Sequence, residues 1–155
     1  PGVGVEAAAT PVVARHTHVL LARVLNDGAV QAENACRRFE AQSEVLGIGI
    51  VLGEVTWTLK GNRYNASRED LAAGIIGLLE ERNVVFESRQ AVWSAVNDFT
   101  DAKAVTTAGG IRHADLADAL IVNKAKITAE RRRGRYRSTY TFDQAARALP
   151  GTEPL

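Results

Sequence analysis

The chain has no methionine, a single cysteine, four prolines and 6% aromatic residues. It also has no apolar run near the roughly 18 residues that a bilayer-crossing helix requires. Each scarcity removes a class of protein. One thiol, Cys36, makes neither an internal disulfide nor a thiolate metal cluster, so disulfide scaffolds and zinc fingers fall away and a reducing compartment is expected. No membrane association is expected, and the cytoplasm is the expected location. The first residues carry Glu6, lack a basic leader and build no long apolar block, so they do not read as a secretory signal. The missing initiator Met points to a processed or introduced start, and residues 1–10 read as a disordered or introduced lead-in to one domain over 11–155. Charge of one sign is lacking too. Nineteen Lys and Arg against 18 Asp and Glu leave a formal net charge of +1, which excludes a highly basic nucleic-acid coat and an acidic disordered tail.

What is present is enough for one core. The 155 residues are 46% apolar, and short apolar runs alternate with longer stretches of helical spacing, the pattern of an α/β fold. Strands are expected near 11–14, 46–51, 83–86 and 136–142. Helices are expected over 19–25, 29–45, 52–59, 71–81, 88–105, 113–128 and 144–149. In the third helix Val55, Leu59 and Trp57 should pack inward, until Gly61-Asn62 breaks it. Ser67-Arg68-Glu69-Asp70 is a near-match to a capping box ahead of the fourth. Gly109-Gly110 should separate the fifth helix from the sixth, and Pro150-Gly151 should stop the last.

Most acidic residues are spaced as solvated helix faces, but four stand at junctions. Glu54 lies between Ile48-Gly49-Ile50-Val51-Leu52 and Val55-Thr56-Trp57, where a carboxylate either complements a helix start or serves at the carboxyl end of a strand. Asp115 and Asp118 are three apart within a largely apolar helix, so they share a face. Asp115 can be read as a cap. Asp118 is harder to assign to structure alone, because an ionised carboxylate among apolar residues needs a cation or donors beside it. Asp143 follows Tyr140-Thr141-Phe142 and precedes the last helix, a second cap position. In open α/β sheets the functional crevice lies beyond the carboxyl ends of the strands, so these four acids are expected to cluster. Such a cluster repels itself without a cation. Mg²⁺ and Mn²⁺ take oxygen ligands and retain waters, one of which can attack a phosphodiester.

These residues resemble the PIN-domain ribonucleases, above all the toxin subunits of VapBC-type toxin–antitoxin pairs. Leu52-Gly53-Glu54-Val55-Thr56-Trp57-Thr58-Leu59 resembles the stretch that holds the family's second acid, and Asp115-Leu116-Ala117-Asp118-Ala119-Leu120-Ile121 resembles that of its third. Tyr140-Thr141-Phe142-Asp143, followed by Ala148-Leu149-Pro150-Gly151, resembles the closing strand and terminal helix, which makes Asp143 the fourth acid. The family usually opens with a strand ending in Asp-Thr-Asn. Here His16-Thr17-His18 stands in that place, so His16 replaces an Asp that is ordinarily a direct metal ligand. Imidazole suits softer ions than Mg²⁺, and the exchange removes one negative charge. His16 either caps or packs in a site without metal, or ligates a softer ion beside Asp118.

The resemblance implies a short parallel sheet of four or five strands sandwiched between helices. It also implies a Mg²⁺- or Mn²⁺-dependent endoribonuclease with Glu54, Asp118 and Asp143 around the metal and Asp115 in support. Its implied partners are an RNA substrate, a cognate antitoxin protein and a second copy in a homodimer. The alternative is a degenerate PIN-fold protein that binds RNA or a protein partner without cutting. A response-regulator-like signalling module is disfavoured, because its paired acids come early and its Lys late. Over residues 124–137, Lys124, Lys126, Arg131, Arg132, Arg133, Arg135 and Arg137 face one acid, Glu130, for a local net charge of +6. The five arginines are candidates for RNA backbone contact, since guanidinium forks match phosphate oxygens; the competing reading is a solvated helix end.

Overall fold

The computed structural model describes residues 12–14, 44–47 and 49–155. The helix expected over 19–25, the one expected over 29–45 as far as residue 43, and with them His16, lie outside the described residues; Glu44 and Val45 are strand, not helix. The chain is a mixed α/β protein. Strands β1 (Val12–Ala14), β2 (Glu44–Gly47) and β3 (Val84–Phe86) form a parallel sheet in the order β1-β2-β3. Helices α1 (Gly49–Lys60) and α2 (Arg68–Glu80) make the crossover from β2 to β3, the connection that parallel strands require. Helix α3 (Arg89–Asp101) follows, and then a hairpin of β4 (Val105–Thr107) and β5 (Gly110–Arg112). Helix α4 (Leu116–Arg131), strand β6 (Thr139–Thr141), one turn of 3₁₀ helix at Ala146–Ala148 and β7 (Thr152–Pro154) complete the chain. Strands β6 and β7 pair parallel in a sheet of their own. Among the described residues the largest sheet therefore has three strands.

The core follows from helical spacing. Leu52, Val55 and Leu59 of α1, Leu71, Ile75, Leu78 and Leu79 of α2, and Val92, Ala95, Val96 and Phe99 of α3 are all buried, as are Leu116, Ala119 and Leu120 of α4. These positions recur three or four apart, so each helix presents one stripe inward. Helix α4 packs on α3 and α1, and α2 packs on α3. Buried Asn123 is satisfied across the α3–α4 contact, donating to Asp98 Oδ2 at 2.8 Å and to Ala119 O at 3.0 Å. In β2, Gly47 pairs with Phe86, whose ring stands 2.9 Å from where a Cβ would be, so the position admits no side chain without moving the ring.

Several expectations need correction. The strand expected over 46–51 ends at Gly47, and α1 includes Gly49 to Val51, because Leu52, Val55 and Leu59 extend one buried helical stripe back to this point. Trp57 is not inward but 67% exposed. At 100° per residue it lies on the side of α1 opposite Val55 and Leu59, with Ile50 and Glu54. The helix expected to reach residue 105 ends at Asp101, because Val105-Thr106-Thr107 is β-branched and the Ala108-Gly109 loop returns the chain as a hairpin. The last helix is reduced to a 3₁₀ turn. The helix start at Ser67 is as the sequence implies: Ser67 Oγ accepts from Asp70 N at 3.0 Å and Ser67 N donates to Asp70 Oδ2 at 3.1 Å.

Gly151 has φ +89, and an added Cβ would meet Lys126 Cε at 2.8 Å and Tyr136 Cε1 at 3.2 Å. It sits where Tyr136 Oη donates to Gly151 O and Lys126 Nζ donates to Pro150 O, the contacts that seat β7 against α4. Gly151→Ala is therefore expected to lose about 1–2 kcal/mol, read as a melting temperature about 3–6 °C lower in a thermal denaturation scan.

Candidate functional site

Asp115 and Asp118 occupy the N-cap and N3 positions of α4, where exposed backbone N–H groups and the helix dipole favour anions. Asp118 Oδ2 accepts from Asp115 N at 3.4 Å, the reciprocal half of a capping box. Asp143 arrives from a different segment, just past β6. Its Oδ1 accepts from Ala145 N at 2.7 Å and from Ala146 N at 3.4 Å, so it caps the following 3₁₀ turn. Asp115 and Asp143 thus stand at the cap positions the sequence suggests, and the charges of both act on Asp118. Asp118 is half-buried, and its pKa is raised above the ordinary 3.8 mainly by desolvation, with further increments from the charges of Asp115 and Asp143. The backbone donor at Asp115 and the ammonium of Lys60 pull it the other way.

Lys60 was not evident in the sequence as a site residue. It is the last residue of α1, and its Nζ pairs with Asp115 Oδ1 across 55 residues of chain. Arg68 was equally hidden. From the first position of α2 its guanidinium donates to Ala114 O at 2.7 Å and to Phe99 O at 2.5 Å, and it lies 3.9 Å from the Phe99 ring centroid. One side chain thus ties the end of α3 to the residue before the α4 cap. Burial lowers its pKa, while Asp115 and Glu69 raise it. The only available sequence signal was that Arg68 and Lys60 stand at helix ends, where a long cation can leave its own element.

Glu54 is placed elsewhere, on the wall of a cleft of about 570 Å³ between α1 and α4, opposite Ala117 and Ile121. Gly47, Gly49, Glu87 and Ser88 also line this cleft, which therefore opens beyond the carboxyl ends of β2 and β3. Parallel α/β sheets place their functional crevices there. Lys124 pairs with Glu87 at 2.7 Å along its edge and holds that carboxyl below its usual range, so Lys124 belongs to the cleft wall. Strand β1 runs parallel to β2 in the register Ala14↔Leu46, so its carboxyl end points to the same side.

Arg131, Arg132, Arg133, Arg135 and Arg137 are all exposed. They begin at the far end of α4. Thirteen residues separate Asp118 from Arg131, which at the helical rise of about 1.5 Å per residue is about 20 Å. The chain turns there in a Schellman motif, with Gly134 N bonded to Ala129 O at 2.8 Å, Arg133 N to Glu130 O at 2.8 Å, and Arg133 at φ +56.

The donor set at the amino end of α4 is made of carboxylate oxygens, the chemistry that hard divalent cations take. Among the described residues, however, no three His, Cys, Asp or Glu side chains converge on one point. Each of Asp115, Asp118 and Asp143 already has a partner, and an approaching cation meets Lys60 on Asp115 first. No known protein family, curated protein or solved structure matches the chain. Among the described residues, no helix is long and apolar enough to cross a membrane.

Proposed function

We propose that the chain is a metal-dependent endoribonuclease of PIN type, the toxin of a type II toxin–antitoxin pair. One observation carries the reading: half-buried Asp118 feels the negative charge of its neighbour Asp115 and of Asp143 from a separate segment, and like charges acting on a half-buried carboxyl oppose folding stability. Mg²⁺ or Mn²⁺ bound there would supply Lewis-acid stabilisation of the phosphoryl oxygens and an activated water. The chain's own part is to hold and orient. Asp118 and Asp143 present oxygens, Asp115 is steadied by Lys60, Glu54 meets the substrate from its separate cleft, and the arginines at 131–137 steer the RNA backbone about 20 Å away. The same proposal includes a PIN-like sheet of four or five strands between helices, a homodimer, a cognate antitoxin and a cytoplasmic setting.

The test is incubation of the purified chain with end-labelled structured RNA in Mn²⁺ or Mg²⁺, with and without EDTA. Internal cleavage that EDTA abolishes is the expected result; cleavage indifferent to EDTA overturns the metal assignment. A second reading, a PIN-fold protein that binds without cutting, is favoured by the local pairing of all three aspartates. Including His16→Asp in the same assay separates the two. A silent wild type that gains cleavage as His16→Asp supports the second reading, and an active wild type excludes it.

A further inference from the structure

Asp143 also lines another cleft, of about 490 Å³, between the β4–β5 hairpin and the segment after β6. Thr107, Gly109 and Arg112 line it from the hairpin, and Phe142, Asp143 and Gln144 line it from the other side. The hairpin register explains which side chains are available. Val105 pairs with Arg112 and Thr107 with Gly110, so these four share one face, while Thr106 and Ile111 share the other, where Ile111 is 75% exposed. Arg112 is therefore carried on the same face as Thr107, towards the cleft. Phe142 is 77% exposed, with its neighbour Asp143 shared between the cleft and the acidic group.

We propose that this cleft is a nucleotide subsite, in which an unpaired RNA base beside the scissile bond stacks on Phe142 while Arg112 holds an adjoining phosphate. The proposal rests on the nuclease reading and extends it to substrate recognition. A flat aromatic face open to water is a platform for any base, because every base has a π-face. A guanidinium is the group that matches phosphate oxygens, and it offsets the carboxylate of Asp143, which would otherwise repel the RNA backbone. Gln144 adds an amide able to donate to or accept from a base edge. Among the described residues Phe142 is the single large apolar residue of this cleft, so it suits a nucleotide better than the apolar side chains of a protein partner. An unpaired base is required, since bases inside a duplex have no free face.

The test is fluorescence anisotropy with a fluorescein-labelled 12-nucleotide RNA of randomised sequence and an abasic RNA of the same length. It uses the full chain carrying Asp118→Asn to block cleavage, in Mn²⁺. The parent is expected to prefer the normal RNA to the abasic one. Phe142→Ala should weaken the normal RNA about tenfold and erase that preference, and Phe142→Trp should retain it. Arg112→Ala should weaken both RNAs alike and reduce the salt slope of log K by about one. Phe142 is exposed, so its loss leaves the core intact. Equal binding by the parent and Phe142→Ala overturns the subsite, and leaves the nuclease reading standing if the wild-type chain still cleaves. Absence of both binding and cleavage overturns the two together.

Discussion

Asp118→Asn is expected to reduce metal-dependent RNA cleavage by about 100-fold or more while raising the melting temperature at neutral pH. The two effects have one cause. Desolvation and the charges of Asp115 and Asp143 push the Asp118 pKa above its ordinary 3.8, so the ionised form is less favoured in the folded chain than in the unfolded one. Between the two values the folded state binds more protons, and stability therefore falls as pH rises through that window and stays lower above it. Asparagine keeps the carbonyl that accepts from Asp115 N and removes the charge. The gain should be about 1 kcal/mol, or about 2–4 °C at pH 7, discounted for a half-exposed group. It should shrink as pH falls and vanish well below the ordinary carboxyl value, where Asp118 is neutral in both states. Thermal melts of both chains across that range, beside cleavage assays, test both halves. A lower melting temperature for the variant at pH 7 would mean that Lys60 and the cap outweigh burial and repulsion.

Arg68→Ala carries the largest expected effect on stability. The Ala114 and Phe99 carbonyls it serves belong to residues that are 0% and 2% exposed, so truncation leaves two carbonyls of buried residues without their side-chain donor. Losing two charge-assisted hydrogen bonds and the contact with the Phe99 ring should cost about 3 kcal/mol, a melting temperature about 6–12 °C lower. Arg68→Lys should recover only part of this, because a single ammonium does not span both carbonyls as a planar fork does. Cleavage assayed well below the new melting temperature should also fall, since Arg68 fixes the residue before the Asp115 cap. Denaturation monitored by circular dichroism gives the first effect, and the activity of the still-folded fraction gives the second.

The helices were largely legible because their signals are local. Leu71, Ile75, Leu78 and Leu79 mark a buried stripe within two turns, and Ser67 with Asp70 marks its beginning. The β4–β5 hairpin was not, because Ser88 to about Val105 reads as a continuous helical pattern that runs into the short β-branched run Val105-Thr106-Thr107. Its placement beside Asp143 depends on contacts far away in the chain. Trp57 misled for a related reason: a large apolar residue suggests the core by composition, but its angle on α1 puts it with Ile50 and Glu54.

By itself the sequence determined the alternation of helices and strands, the cap at Ser67, the shared face of Asp115 and Asp118 and the charge of the arginine segment. All of these depend on neighbours within a few residues. Only the tertiary structure decided that the charge of Asp143 acts on Asp118, that Lys60 and Arg68 brace the α4 cap from α1 and α2, that Glu54 faces a separate cleft and that the arginines stand a helix length from the acids. Those are distances between segments far apart in the chain, set by how buried stripes pack against one another, and side-chain periodicity carries no information about them.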